Sequence, residues 1–279
     1  MKALKTPLRY PGGKSRAVPK LFEFLPNKIT EYREGFLGGG SMAIAITKAY
    51  PDTPVWVNDL YEPLYNFWSV LQEFSHSLQT ELIVLKSANQ TPDKAKVLFE
   101  FMKEQINDDS ASEIERAVAF YVVNKCSFSG LTESSSFSAQ ASNNNFTMRG
   151  IEKLTEYGDL ISNWKITNLD YAEVMSDEEH CFMYMDPPYN IKDVLYGKKG
   201  EMHKGFDHAR FADVMDANLG NVLISYNDHP DIKLRFDEWY QYDWDHTYTM
   251  RSTGEYTRNQ KDRRELVLTN YDWKRKLGG

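Results

Sequence analysis

The run CFMYMDPPY at 181–189 constrains the fold more than any other stretch. A short, unbroken apolar segment that stops at Asp186, Pro187 and Pro188 is too brief for a helix and lacks the alternation of a half-exposed strand. It fits a strand buried on both faces, and such strands belong to sheets covered by helices on either side. The two prolines fix the backbone and carry no amide hydrogen, so the strand opens into a rigid turn.

Other segments extend the same reading. EYREGF at 31–36, VWVND at 55–59, NVLISYND at 221–228 and ELVLTNY at 265–271 are predicted strands, with a helix near 207–219 between the last two. Gly38-Gly39-Gly40 follows the first strand, and Ser41 is the predicted N-cap of a helix carrying Met42, Ile44, Ala45 and Ile46. The expected fold is an open, Rossmann-like α/β sheet. Residues 61–164 read differently: strand-poor and mainly helical, with Pro92 after Thr91 and a capping-box spacing from Ser112 to Glu115. The expected organisation is a discontinuous sheet domain, 1–60 plus 165–279, with 61–164 as an inserted helical lobe. Within that lobe 127–148 is rich in Ser, Asn and Gly, and it reads either as a flexible surface loop or as a loop that orders against a ligand.

Composition narrows the functional classes. The 279 residues suffice for one large core. No apolar run is long enough to span a bilayer, the N-terminal stretch has no signal-like apolar region, and a cytoplasmic protein is expected. Cys126 and Cys181 match no metal-ligand spacing, so neither a disulfide framework nor a metal centre is expected. A net charge of -7 weighs against nucleic acid, yet it does not fix how charge is distributed. Arg251, Arg258, Lys261, Arg263 and Arg264 form one basic run; Lys192, Lys198, Lys199 and Lys204 form another.

Three motifs carry chemistry. Gly38 to Ala43 fits G-x-G-x-x-A between strand and helix, with Asp59 about 20 residues on, where a ribose-binding acid stands. This suits a nicotinamide cofactor as well as S-adenosylmethionine. Tyr10-Pro11-Gly12-Gly13-Lys14-Ser15 ends like a phosphate-binding loop, but Leu8 stands where that loop requires glycine. A tight turn presenting Lys14 beside Tyr10 remains. Asp186 to Tyr189 combines a carboxylate, carbonyls without neighbouring donors and an aromatic ring. That surface accepts hydrogen bonds from an exocyclic amine, and Tyr189 can stack on a base.

Taken in order, LRYPGGK (8–14), FLGGGS (36–41), Asn58-Asp59, NKCSFSGL (124–131), Asn168 to Tyr171, DPPY (186–189) and RST…RRELVLTNY (251–271) resemble the DNA adenine methylase (Dam) family of N6-adenine-specific DNA methyltransferases. The resemblance implies a Rossmann-like S-adenosylmethionine-dependent sheet, with the inserted lobe as target-recognition domain. It implies S-adenosylmethionine contacts from Tyr10, Lys14, Phe36, Gly38, Gly40, Ser41, Asp59, Asp170 and Asp186. Asp186, Pro187, Pro188 and Tyr189 would be catalytic. Arg9, Asn124, Lys125, Ser129, Arg251 and Arg258 would contact DNA, with Lys261 and Arg264 as further candidates. Double-stranded DNA is the expected partner, an extruded adenine the substrate, a monomer the expected state and restriction–modification one setting. Two positions depart from the family: Tyr10 stands where tryptophan is common, and 131–148 holds no Lys or Arg. Transfer to N4 of cytosine or to RNA, a non-catalytic DNA-binding relative, and a nicotinamide oxidoreductase are the alternative readings.

Overall fold

The computed structural model describes residues 5–10, 12–130, 135–189, 205–245 and 264–274. Arg251, Arg258, Lys261 and Arg263, and the Lys192 to Lys204 run, lie outside the described residues, as do the side chains of Ser129 and Arg264.

Seven strands form one sheet: β1 (Glu31–Glu34), β2 (Val55–Asn58), β3 (Trp164–Thr167), β4 (Cys181–Met185), β5 (Asn221–Asn227), β6 (Tyr240–Asp245) and β7 (Arg264–Thr269). Their spatial order is β3-β2-β1-β4-β5-β7-β6. The first five are parallel to one another, and β7 runs antiparallel to both β5 and β6. Two strands were not expected. β3 (WKIT) is too short and mixed to show a period, whereas β6 carries the alternation Tyr240, Tyr242, Trp244, a signal that was present.

The buried run of β4 divides its side chains between two cores. Phe182 and Tyr184 face one, with Tyr32, Val57, Leu223 and Val267; Cys181, Met183 and Met185 face the other, with Ile224, Leu266 and Leu268. The first helices in chain order are α1 (Val18–Leu21), α2 (Ser41–Ala49), α3 (Glu62–Glu73), α4 (Ser75–Ala88), α5 (Pro92–Gln105) and α6 (Glu113–Cys126), of which α2, α3 and α6 cover the first core. The second is closed by His208–Asp216 and Pro230–Arg235, through Phe211, Met215 and Ile232. In α3, Leu64, Phe67, Trp68 and Leu71 lie on one stripe at helical spacing and are wholly buried. Each such side chain contributes about 1.5–3 kcal/mol of burial free energy.

Between β2 and β3 the described chain is helical, with no strand among the described residues of 61–163. The Ser112 hydroxyl accepts from the Glu115 amide while the Glu115 carboxylate accepts from the Ser112 amide, so the expected capping box starts α6. Thr91 caps Pro92–Gln105. The Ser/Asn-rich stretch is in part helical: Ser138 and Thr147 act as N-caps of Ala139–Asn145 and Met148–Glu152. Ser41, expected as an N-cap, is instead the first helical residue of α2. Gly40 takes the cap with φ +68°, a conformation that costs glycine nothing. Among the described residues no helix is long and apolar enough to cross a membrane.

Candidate active site

Strand order reverses between β1 and β4, and ligands of open α/β sheets bind at the carboxyl ends of the strands flanking that point. Here those ends deliver Gly35 to Gly40 and Asp186 to Tyr189 side by side.

Asn58, fully buried at the end of β2, fastens the rim. Its side-chain amide donates to the carbonyls of Gly35 (3.2 Å) and Leu169 (2.9 Å), and its oxygen accepts from the Leu169 amide (2.8 Å). The segments 35–41, 58–59 and 168–171 are thereby joined. The half-buried carboxylate of Asp59 accepts from the amides of Gly38 (2.9 Å) and Tyr61 (3.0 Å). Burial lifts its pKa to about 6, against those two amides.

The glycine loop is packed by protein side chains. A Cβ on Gly38 or Gly39 would lie 2.9 Å from Tyr10, and one on Gly40 2.7 Å from Trp68. Trp68 Nε1 also donates to the Gly38 carbonyl at 3.1 Å. Glycine here admits Tyr10 and Trp68, which spacing alone did not reveal. The Ser41 and Ser15 hydroxyls meet at 2.9 Å and tie the N-terminal turn to α2.

That turn presents Lys14, which is 4% exposed. Its ammonium donates to both Asp186 oxygens, at 2.9 and 3.0 Å, and to the Gly12 carbonyl at 3.2 Å. Burial opposes the charge on Lys14, but Asp186, Glu265 and Tyr184 together outweigh it and hold its pKa above the ordinary lysine value. Asp186 Oδ1 also accepts from Ser225 Oγ (2.8 Å), which in turn contacts the Tyr184 hydroxyl at 2.7 Å. Among the described residues, Oδ2 accepts only from Lys14. Pro187 is buried and Pro188 half-buried.

Tyr189 is not an open platform. Its hydroxyl donates to Glu265 (2.8 and 3.0 Å), Lys14 Nζ stands 4.7 Å from its ring centroid, and Tyr226 stacks at 5.9 Å with an interplanar angle of 24°. The ring remains half-buried. Ser225, Tyr184 and Glu265 were missed by the sequence reading. Ser225 and Tyr184 sit in apolar strands, where a lone hydroxyl carries no signal, and Glu265 was placed only as the first residue of a predicted strand.

Phe36 and Asp170 belong to the segments that Asn58 fastens. Phe36 stacks on Tyr171 at 5.3 Å, with Phe206 and Phe211 set edge-on to it. Asp170 is held by Arg210 through two bonds, 2.8 and 3.0 Å, and caps the turn that follows. Arg210 keeps its carboxyl below the usual carboxylate range.

The candidate DNA contacts divide. Asn124 is fully buried and is not presented at a surface. It pairs with the backbone of Arg9, accepting from the amide (2.9 Å) and donating to the carbonyl (2.6 Å), and donates to the Gly130 carbonyl. The 124–130 segment therefore cradles the residue before Tyr10. Arg9 Nη1 donates to the Ser127 carbonyl at 2.8 Å. Lys125 is buried with its ammonium 5.2 Å from the Tyr121 ring; burial, then Arg9, brings its pKa down to about 7. No cluster of metal-ligating side chains occurs among the described residues.

A sheet of order 3-2-1-4-5-7-6 with a reversed β7, a glycine loop after β1, an acid after β2 and Asp-Pro-Pro-Tyr after β4 is a Rossmann-like architecture of the methyltransferase class. The order, with a reversed strand inserted before the last, differs from the 3-2-1-4-5-6 sheet of the dinucleotide-binding fold that the oxidoreductase alternative requires. The model of the D12 class N6 adenine-specific DNA methyltransferases matches residues 10–253, and the chain belongs to that family. It is similar to the type II methyltransferase M.MjaIII of Methanocaldococcus jannaschii, 26% identical over 200 residues covering 65% of this chain and 68% of that protein. It is also similar to the type II methyltransferase M1.LlaDCHI of Lactococcus lactis subsp. cremoris, 22% identical over 94% of each chain. The modification methylase LlaI of Lactococcus lactis subsp. lactis is 22% identical across 96% of this chain, which spans 44% of that longer protein. The protein is a DNA methyltransferase acting on N6 of adenine, with DNA as substrate and a methyl donor of the S-adenosylmethionine type.

Proposed function

We propose that the chain methylates an adenine extruded from duplex DNA, using Asp186 and a backbone carbonyl of the Pro187-Pro188 turn as acceptors for the N6 hydrogens and the Tyr189 ring as a wall for the base. The carrying observation is the acceptor pattern at the end of β4. Asp186 Oδ1 is occupied by Lys14 and Ser225, Oδ2 only by Lys14 among the described residues, and the next two residues have no amide hydrogen. An amino group held by acceptors alone keeps its lone pair turned out of ring conjugation and toward an electrophile. Extrusion is required because N6 is engaged in pairing inside the duplex.

S-adenosylmethionine, when bound, supplies an electrophilic methyl group on a sulfonium sulfur. The residues fit such a ligand: Asp186 and Glu265 both act on the one Lys14 ammonium, and Asp59 adds a further carboxyl beside the glycine loop. Each Asp59 oxygen accepts one backbone amide and retains capacity for a ribose hydroxyl. Tyr10, Lys14, Phe36, Gly38, Gly40, Ser41 and Asp170 line the same rim.

Residues 61–164 are proposed as the target-recognition lobe and 1–60 with 165–279 as the catalytic part. The motif order supports a Dam-type member of the class. Arg9, half-buried, is the described basic candidate for DNA contact, whereas Lys125 is buried. The enzyme is proposed to act as a cytoplasmic monomer in a bacterial or phage-infected cell, within host regulation or restriction–modification.

Asp186→Asn tests this directly. It preserves shape but replaces an acceptor with a donor, and should cut methyl transfer by about 100-fold or more while S-adenosylmethionine still binds. Wild-type turnover in that variant contradicts the assignment.

A further inference from the structure

Glu265 stands where a sheet protein gains nothing from a carboxylate. It lies in β7, paired across the ladder with Asn227 and Trp244, and is followed by the buried Leu266, Val267 and Leu268. Only 2% of it is exposed, and burial lifts its carboxyl to about 7 against the pull of Lys14. Taking a carboxyl out of water costs free energy that only its polar partners offset, so core packing does not account for it.

What it does on the page is specific. Both its oxygens accept the Tyr189 hydroxyl, at 3.0 and 2.8 Å. Tyr189 follows two prolines, which stiffen its backbone, and the hydroxyl sits at the far end of the ring. Anchoring both ends fixes the two side-chain torsions and therefore the ring plane. The same anchor keeps the ring under the Lys14 ammonium, the group that grips Asp186.

We propose that Glu265 is a positioning residue for methyl transfer: by accepting the phenolic hydrogen of Tyr189, it sets the plane of the ring against which the target base is held. This rests on the reading of Tyr189 as the base's wall. Supporting groups that are left loose by an ångström cost catalysis heavily, which sets the size of the expected effect.

The test is a double-mutant cycle on the full chain, read by steady-state kinetics and by fluorescence. The fluorescent probe is a duplex carrying 2-aminopurine at the target adenine, once the site has been mapped. Tyr189→Phe and Glu265→Ala should each lower kcat by about tenfold, with KM for S-adenosylmethionine unchanged, and the double variant should be no worse than either alone. Glu265→Gln, which keeps an acceptor oxygen, should recover most of the turnover lost in Glu265→Ala. In both single variants the extruded 2-aminopurine should be brighter than with the wild type, because a mobile ring quenches less by stacking. Full kcat and an unchanged fluorescence in Tyr189→Phe overturn the proposal, as do losses that simply add in the double variant. If Glu265→Ala fails to fold, Tyr189→Phe and Glu265→Gln, each nearly isosteric, carry the same comparison. Tyr189→Ala separates the two levels. Inactivity there alongside a fully active Tyr189→Phe removes only the role of Glu265, whereas full activity in Tyr189→Ala removes the wall itself and this proposal with it.

Discussion

Asp59 shows how one carboxylate can be tuned by the loop it serves. The Gly38 and Tyr61 amides favour its charged form, yet burial prevails and places its pKa at about 6. A folded value above the ordinary 3.8 means that its stabilising contribution is full below 3.8 and is lost as pH rises through about 6. Ligand binding has the opposite sign, because ribose hydroxyls need the charged acceptor. S-adenosylmethionine affinity should therefore fall as pH drops from 7 to 5, a window in which the free cofactor's own groups do not titrate, and Asp59→Asn should flatten that dependence. Calorimetric titration at several pH values measures both; an equally steep dependence in Asp59→Asn contradicts the role. Lys14 and Asp186 form the other tuned pair. Removing one partner of a buried ion pair strands the other, so Lys14→Ala should lower stability by about 3 kcal/mol in urea unfolding. The Lys14→Ala/Asp186→Ala double variant should be less destabilised than the sum of the single changes. Strict additivity would show the pair to be energetically idle. Asp186, Lys14 and Asp59 were visible in the sequence because motif spacing marks them. Asn58 and Asn124 differ: their work is hydrogen bonding to backbone up to 115 residues away, and no local pattern reports such partners.

At the scale of elements, α6 joins the two halves of the site, since its last turn carries Asn124, which holds Arg9 and so the N-terminal motif. Its first turn is secured by the Ser112–Glu115 capping box. Ser112→Ala should cost about 1 kcal/mol of unfolding free energy with an unchanged urea m-value, since only a cap is lost. A change below measurement error would mean that packing alone holds that end. The capping box, the strand ending at Asp186 and the helix after the glycine loop were legible because each rests on contacts within a few residues. β3 was not, because four residues of mixed polarity gain their identity only by pairing with β2. Ser41 and Gly40 exchanged roles for a similar reason. Trp68, from a helix far along the chain, packs where a Gly40 side chain would stand, and leaves that position to glycine.

For the whole molecule, sheet order carries the argument. A reversed β7 between β5 and β6 brings Glu265 beside the motif that ends β4, although 76 residues separate Glu265 from Tyr189. Strand order was not readable from the sequence, since pairing partners leave little mark on the strands themselves; the α/β class was, because a buried apolar strand implies covered faces. The net charge of -7 weighed against DNA, and the family membership shows that net charge was the wrong scale for that question. The atom that receives the methyl group decides the function. Duplex DNA should be incubated with the protein and isotopically methyl-labelled S-adenosylmethionine, then digested to nucleosides and resolved by mass spectrometry. Label confined to N6-methyladenine is the result predicted; label in N4-methylcytosine, or transfer to RNA with none to DNA, would contradict it.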